Sequence, residues 1–307
     1  GDTQECTKDF EIAATRRCHG VDPTLNDQLV SNHKWISSGT TATIGATMQG
    51  IDHYENFPVA SWLCPPGLRA PILAIYRYAR TADDLADEGP ASADQRLADL
   101  RQYRADLLAC TQDGAPSTRW PEVFGPLGQV MHTHPLPLAH LMALLDAFEQ
   151  DVVYTAESRR YLDRAGLLAY CERSANPVGR LLLHLHDITD QASLAHSDAI
   201  CTALQLINLW QDRAQDLARG RDYLPLGHDL RTELAFAEML MHRGAPLVHR
   251  MPGRSGWELR LVVQGGLRIL QRLHALNDTQ LAQAHIQPRP RLGKSDVAVM
   301  LWRALWM

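Results

Sequence analysis

The sequence predicts an all-α protein, and three observations support this fold class. Apolar side chains recur with the 3.6-residue period of a helix in residues 72–79, 94–110 and 136–155. Alternating runs of β-branched residues are almost absent, and Val262 and Val263 lie inside a helical pattern. Two acidic segments, near residues 84 and 212, also have helical spacing. We therefore expect a helical bundle with polar sites on facing helices.

Composition excludes several classes of protein. The chain has 307 residues, of which 45% are hydrophobic and 21% charged, and its net charge of −5 comes without any basic stripe, so a nucleic-acid partner is not expected. The six cysteines lack Cys-x-x-Cys spacing, which indicates reduced thiols rather than a disulfide or zinc framework. No apolar run reaches the length of a membrane span. A cytoplasmic protein is predicted.

Breaks in the helical patterns divide the chain. Residues 1–50 are polar, lack the layout of a signal peptide and are expected to be a poorly ordered extension without function, an upstream translation artefact or a segment added by cloning. Residues 51–307 are expected to form one all-α domain. Within it, Pro71 should open a helix that Gly89 and Pro90 end. We also expect a loop-rich insert in residues 114–137 and a helix kinked at Pro177, where small neighbours make room for a ligand.

The first acidic segment concentrates carboxylates on one side of a helix. Asp83 and Asp87 are four residues apart, as are Asp84 and Glu88. Two carboxylates about 6 Å apart repel by about 2 to 3 kcal/mol at an effective dielectric constant of about 20, and Arg80 offsets only part of this repulsion. Mg²⁺ would remove the rest, because it prefers carboxylate, water and phosphate oxygens. A solvated acidic helix face is the alternative if this segment is considered alone.

The second acidic segment has the same character. Asn208, Asp212 and Asp216 recur every four residues and drift by only about 80° around a helix, so they form one polar stripe. Apolar neighbours surround the start of the stripe, and buried carboxylates need partners. Two such helices facing each other would hold Mg²⁺ ions and a bridging diphosphate.

Together these segments resemble the two aspartate-rich motifs of the squalene and phytoene synthase family. Further stretches are similar to its bacterial branch that converts presqualene diphosphate to hydroxysqualene in hopanoid biosynthesis: residues 53–61 (HYENFPVAS), 80–88, 170–179 and 244–268. The resemblance covers residues 52–304. It implies the isoprenoid-synthase helical bundle, with a central cavity between the two aspartate-rich helices.

The resemblance also implies roles for individual residues. The metal ligands, for two to three Mg²⁺ ions, would be Asp83, Asp84, Asp87, Asn208, Asp212 and Asp216. The substrate-binding residues would be His53, Arg80, Gln205, Arg221, Tyr223 and Asn176, with Arg80, Arg221 and Tyr223 on the diphosphate oxygens. The catalytic residues would be Tyr76, Arg80, Phe57, Tyr170 and Tyr223. Among them, the aromatic faces of Phe57, Tyr76 and Tyr170 would stabilise the carbocation. For Phe57 and Tyr170 taken alone, a place in the core is the alternative.

The implied reaction is the Mg²⁺-dependent loss of pyrophosphate from presqualene diphosphate, followed by addition of water, and NADPH is not expected. The alternatives are condensation of two farnesyl diphosphates, reduction to squalene, or a non-catalytic role in assembly or lipid binding. A presqualene diphosphate synthase and a downstream squalene-forming oxidoreductase are the expected functional partners. Trp302 and Trp306 flank Arg303 and indicate either a helix in a lipid interface at the inner face of the membrane or a helix packed on the bundle.

Overall fold

Helices make up nearly all of the regular structure in the computed structural model, which describes residues 63–112, 114, 116–276 and 290–307. The α-helices are α1 (Pro66–Asp87), α2 (Ala93–Gln112), α3 (Pro121–Thr133), α4 (Leu138–Ala156), α5 (Arg164–Ser174), α6 (Asn176–Leu185), α7 (Gln191–Ala218), α8 (Leu230–Gly244), α9 (Gly253–His274) and α10 (Lys294–Leu305). A 3₁₀ helix, Ala245–His249, follows α8. The described residues contain no strand, so the all-α prediction is confirmed.

Helices α1 to α4 share one hydrophobic core built around aromatic rings. Tyr78 and Tyr103 stack with their ring centroids 5.4 Å apart, and Phe124 of α3 lies against both. The Tyr78 hydroxyl donates a hydrogen bond to the Leu141 carbonyl (2.9 Å), and the Tyr103 hydroxyl donates one to the Tyr78 carbonyl (3.0 Å). Because these buried hydroxyls reach backbone groups on neighbouring helices, they fix how α1, α2 and α4 sit together.

Helices α7, α8 and α9 build a second core. Helix α8 lies along α7 and approaches it closely at Gly244, where a Cβ atom would lie 2.5 Å from Ile200 Cγ1 and 2.7 Å from the His196 carbonyl oxygen. Ile207 and Trp210 of α7 are buried in this core. The apolar neighbours of the second acidic segment therefore form the inner face of a long buried helix.

Helices α4 and α6 join the two cores. On α4, Leu144 and Leu145 belong to the first core and Ala147 to the second; on α6, Leu181 belongs to the first and Leu183 to the second. The two acidic segments lie on α1 and α7, in different halves of the bundle. The predicted site therefore falls at the seam between the halves.

Two predictions about where helices begin and where loops lie are wrong. Helix α1 begins at Pro66 rather than Pro71, which is buried inside the helix. A helical interior tolerates this proline because the missing hydrogen bond lies in the second turn, close to the N-terminus. The stretch 114–137 is also not mainly loop, since α3 occupies Pro121–Thr133. Pro121 is pre-organised for the first turn of that helix, and Val123, Phe124, Leu127 and Val130 bury its apolar face.

The expected kinked helix around Pro177 is instead two helices. Helix α5 ends at Ser174 and α6 begins at Asn176, which places Pro177 in the first turn of α6, where its lack of an N–H costs nothing. Cys64, Cys110, Cys171 and Cys201 have free thiols, and Cys6 and Cys18 lie outside the described residues. Within the described residues, no helix has both the length and the apolarity needed to cross a bilayer. Residues 1–50 lie outside the described part of the chain.

Candidate active site

The acidic end of α1 is paired with arginine. Arg80 contacts Asp83 at 3.0 Å and Asp84 at 2.6 Å, using separate guanidinium nitrogens. Burial raises the pKa of Asp83 although the Arg80 charge opposes the rise. Tyr76 lies one turn before Arg80 on the same face and is half-buried, whereas Tyr78 points into the core. The helix therefore presents Tyr76, Arg80 and the acids as one strip.

The end of α1 is held from the next helix. The chain leaves the helix through Gly89, whose φ of 77° is the left-handed conformation that glycine adopts without strain. Arg96 of α2 donates hydrogen bonds to the carbonyl oxygens of Glu88 (2.9 Å) and Gly89 (2.7 Å). These bonds satisfy acceptors that a helix end leaves open. The Arg96 side chain therefore ties the backbone at the end of α1, just after the carboxylates, to α2.

The second acidic helix ends in a Schellman motif. Gly220 has a φ of 80°, its N–H donates to the Leu217 carbonyl (3.1 Å), and the Arg221 N–H donates to the Asp216 carbonyl (2.8 Å). This geometry turns the chain back beside the last turn of α7. It sets Arg219 and Arg221 on either side of the glycine.

Both arginines reach the first acidic helix. Arg219 contacts Asp87 at 2.5 Å, and Arg221 contacts the other oxygen of the same carboxylate. The Arg221 charge also acts on Asp83. The end of α7 is thus joined to the end of α1 across the seam, and the two acidic motifs are brought into one site.

The stripe on α7 faces this seam at its C-terminal end. Burial and the neighbouring Asp212 carboxylate raise the pKa of Asp216 to about 7. Asn208 and Gln205 lie two and three turns earlier and are half-buried. The structure therefore places the second motif as one polar strip, as the spacing predicts.

An aspartate that the motifs did not indicate lies at the centre of the site. Asp151 of α4 accepts hydrogen bonds from the hydroxyls of Tyr170 (2.7 Å) and Tyr223 (3.1 Å). Burial raises the pKa of Asp151 to about 7 against the effect of these bonds, and the charges of Asp83 and Asp216 add to the rise. The sequence contained one signal of this burial: Asp151 lies at helical spacing from Leu144 and Ala147, on the apolar face of α4.

Aromatic rings surround Asp151. Tyr161 and Tyr223 stack with centroids 6.1 Å apart, and Tyr170 lies 5.8 Å from Tyr223. A pocket of about 10 Å³, lined by Asp151 and Tyr161 among others, opens beside them and has room for about one water molecule. Tyr170 is therefore buried, as its core alternative required, yet it also lies at the site, next to the buried Tyr223. The central cavity between the acidic helices stays a prediction.

Of the remaining predicted site residues, Asn176 lies further from the acidic helix ends, and two others are not described. Asn176 starts α6 and accepts a hydrogen bond from Thr202 of α7 (2.9 Å), one turn before Gln205. It lies on the α7 stripe side but at the end remote from Asp216. His53 and Phe57 lie outside the described residues, so their roles stay predictions.

The donor set suits Mg²⁺ in its chemistry. The six predicted ligands offer only oxygen donors, apart from the Asn208 amide nitrogen, and burial disfavours charge on Asp83 and Asp216, which a divalent cation would offset. In the described part of the chain, however, no three His, Cys, Asp or Glu side chains converge closely enough to hold a metal ion. Asp83, Asp84 and Asp87 are turned towards arginines instead. Metal binding would require them to exchange these partners.

Comparison with known proteins identifies the family of this chain. The profile of the squalene/phytoene synthase family matches residues 52–232. The hydroxysqualene synthase of Sinorhizobium fredii is 32% identical over 272 residues, covering 81% of this chain and 89% of that protein. The Zymomonas mobilis protein of the same name is 39% identical over 194 residues, covering 62% of this chain and 61% of that protein.

A solved structure is also similar. The crystal structure of squalene synthase HpnC from Alicyclobacillus acidocaldarius is 32% identical in sequence and superposes with a TM-score of 0.63, covering 72% of this chain and 89% of that one. This likeness confirms the predicted isoprenoid-synthase type of helical bundle. The chain belongs to the squalene/phytoene synthase family and is an enzyme of isoprenoid biosynthesis.

Proposed function

We propose that this enzyme converts presqualene diphosphate to hydroxysqualene, releasing pyrophosphate and adding water, as a step of hopanoid and squalene formation. The observation that carries the proposal is the link from Arg219 and Arg221 to Asp87, which joins both acidic motifs in a site suited to a diphosphate. The two relatives named hydroxysqualene synthase support the choice of this reaction within the family.

The diphosphate would be bound by the arginines. Arg80 and Arg221 present planar, permanently charged forks that pair with phosphate oxygens, and both already bind carboxylates at the seam. Mg²⁺, held by the acids of α1 and the stripe of α7, would neutralise the charge that develops on the leaving pyrophosphate. The acids would then release the arginines to the substrate.

The carbocation that remains would lie against the tyrosine rings. Faces of Tyr170 and Tyr223 stabilise positive charge, each by about 0.5 to 2 kcal/mol. Water adding to this cation forms the new C–O bond and gives up a proton. Asp151, with a pKa of about 7 beside a pocket for one water molecule, is placed to accept that proton. No reductant is consumed in this sequence of events.

Product analysis tests the proposal. The purified protein is incubated with presqualene diphosphate and Mg²⁺, with and without NADPH, and the products are identified by gas chromatography and mass spectrometry. We expect hydroxysqualene in both cases, loss of turnover with EDTA, and recovery when Mg²⁺ is restored. The double variant Asp83→Asn with Asp87→Asn should be inactive, whereas Asp94→Asn with Asp146→Asn, two exposed acids outside the site, should keep activity.

The other outcomes assign the alternatives. Presqualene diphosphate formed from farnesyl diphosphate would place the enzyme in the condensing branch, and squalene formed only with NADPH would make hydride the terminal nucleophile. A double variant as active as the parent would overturn the metal site. No turnover of either substrate would support the non-catalytic role in assembly or lipid binding. A presqualene diphosphate synthase would supply the substrate, and an oxidoreductase would consume the product.

A further inference from the structure

Helix α10 is anchored on one side by a buried ion pair. The Asp296 carboxylate is fully buried and accepts hydrogen bonds from Arg268 (2.7 Å) and Arg272 (2.5 Å) of α9 and from the Gly293 N–H (2.7 Å). One and two turns further on, Met300 and Ala304 are buried as well. The inner face of α10 is therefore fixed on the bundle, and the orientation of its outer face follows from it.

The outer face of α10 is apolar and open to solvent. Val297, Leu301 and Leu305 recur every four residues and are 51%, 49% and 58% exposed, and Trp302 and Trp306 beside them are 62% and 75% exposed. The two indole rings pack edge to face with centroids 5.7 Å apart. Soluble proteins rarely expose so many large apolar side chains together, and patches of this kind mark interaction surfaces. We call these five residues the α10 patch.

Basic residues outnumber acidic ones in the segment that carries the α10 patch. In residues 290–307 the sequence has three basic residues, Arg291, Lys294 and Arg303, and its single acid is the buried Asp296. Arg260 of α9 donates to the Ala304 carbonyl (3.4 Å) and lies over the ring of Trp257, which is itself 41% exposed. Exposed tryptophans beside the cationic side chains of Arg303 and Arg260 complement an anionic lipid surface, whereas two copies docked patch to patch would bring these like charges together.

We propose that the α10 patch docks this enzyme on the surface of an anionic membrane, with the Trp302 and Trp306 rings inserted at headgroup level and Arg303 and Arg260 at the edge. The sequence left open whether this helix lies in a lipid interface or packs on the bundle. In this proposal both are true, because the inner face packs on the bundle and the outer face contacts lipid. The proposal goes beyond the proposed reaction and stands on the exposed surface alone.

Vesicle flotation tests the docking. The full chain is mixed with vesicles of phosphatidylcholine alone or of phosphatidylcholine with phosphatidylglycerol. We expect flotation mainly with the anionic vesicles, weakening as salt is added. The variant Trp302→Ser with Trp306→Ser should bind at least about tenfold more weakly, because two large apolar side chains no longer leave water. The matched control is Leu162→Ser with Met239→Ser, which removes two comparably exposed apolar side chains elsewhere and should float as the parent does.

Two further readouts separate docking on lipid from misfolding of the variant and from self-association of the parent. Circular dichroism melting checks that the tryptophan variant is folded, and quenching of the parent's own fluorescence by brominated lipids reports tryptophan insertion without any substitution. Equal flotation of parent and tryptophan variant, or no flotation of the parent, overturns the proposal. So does a parent that is dimeric by light scattering, becomes monomeric in the variant and ignores vesicles. Turnover of detergent-dispersed presqualene diphosphate should be equal in parent and variant; its absence from both would refute the proposed reaction and leave the docking result unaffected.

Discussion

Replacing Asp151 by asparagine should stabilise the protein and slow its reaction. Burial raises the pKa of Asp151 from 3.8 to about 7. At pH 8 the carboxylate is ionised in both the folded and the unfolded chain, and the folded chain bears the cost, about 4 kcal/mol for a difference of about three pKa units. Because the folded pKa is raised, this cost is absent below about pH 4, grows between pH 4 and 7, and is constant above.

The substitution also disturbs two hydrogen bonds. The asparagine carbonyl accepts a bond from one tyrosine hydroxyl, while its amide must donate to the other, which costs about 1 to 2 kcal/mol. The net gain at pH 8 is then about 2 kcal/mol, equivalent to a rise in Tm of about 4 °C. At pH 5 the ionisation cost is only about 1 to 2 kcal/mol, so the two effects cancel and Tm should not change.

Thermal melts of parent and Asp151→Asn at pH 5 and pH 8, in the presence of EDTA, measure this difference. Asp146→Asn, an exposed acid on the same helix that pairs with Arg104, is the matched control and should shift Tm by less than about 2 °C at both pH values. With presqualene diphosphate the Asp151→Asn enzyme should be slower, since the amide cannot accept a proton. A variant that is no more stable at pH 8 than the parent, or gains equally at both pH values, would refute the reasoning.

Two other predictions concern the diphosphate site and the packing of the helices. Arg221→Gln should lower kcat/KM by about 10- to 1,000-fold, because this arginine side chain is only 17% exposed. Arg219→Gln should lower kcat/KM by less than about tenfold, because the Arg219 side chain is 49% exposed. Equal effects of the two substitutions in steady-state assays would contradict the assignment. Gly244→Ala should destabilise the protein by about 2 to 3 kcal/mol in urea unfolding, since its Cβ would meet backbone on α7. The control Gly67→Ala lies at an exposed position in the first turn of α1, where a Cβ meets no other part of the structure within 4 Å, and should not destabilise the protein. A Gly244→Ala chain as stable as the parent would disprove the close approach of α8 to α7.

Local spacing was enough to predict the acidic helices. The i to i+4 pattern of Asp83 and Asp87 and the stripe ending at Asp216 depend only on helix geometry, and both helices form as expected. The same local rules failed at Pro71 and at α3. There, tertiary burial of Pro71 and of the apolar face beginning at Val123 outweighs the preference of proline for helix ends and loops.

The partners across the seam could not be predicted from sequence. Arg219 and Asp87 are 132 positions apart, and no local pattern relates them. Asp151 is similar, since its pKa and its two tyrosine partners depend on four helices and a loop meeting at one point. A long-range contact is decided by the packing of whole helices, which the periodicity of each helix leaves open.

The sequence alone determined the all-α class, the family resemblance and the two acidic motifs. These features depend on composition and on the spacing of residues within single helices. Only the tertiary structure decided that Arg219 and Arg221 join α7 to α1, that Asp151 lies among buried tyrosines, and that α10 turns Trp302 and Trp306 to solvent. The physical reason is that charge pairing, desolvation and exposure are properties of surroundings, and the surroundings of these residues come from distant parts of the chain.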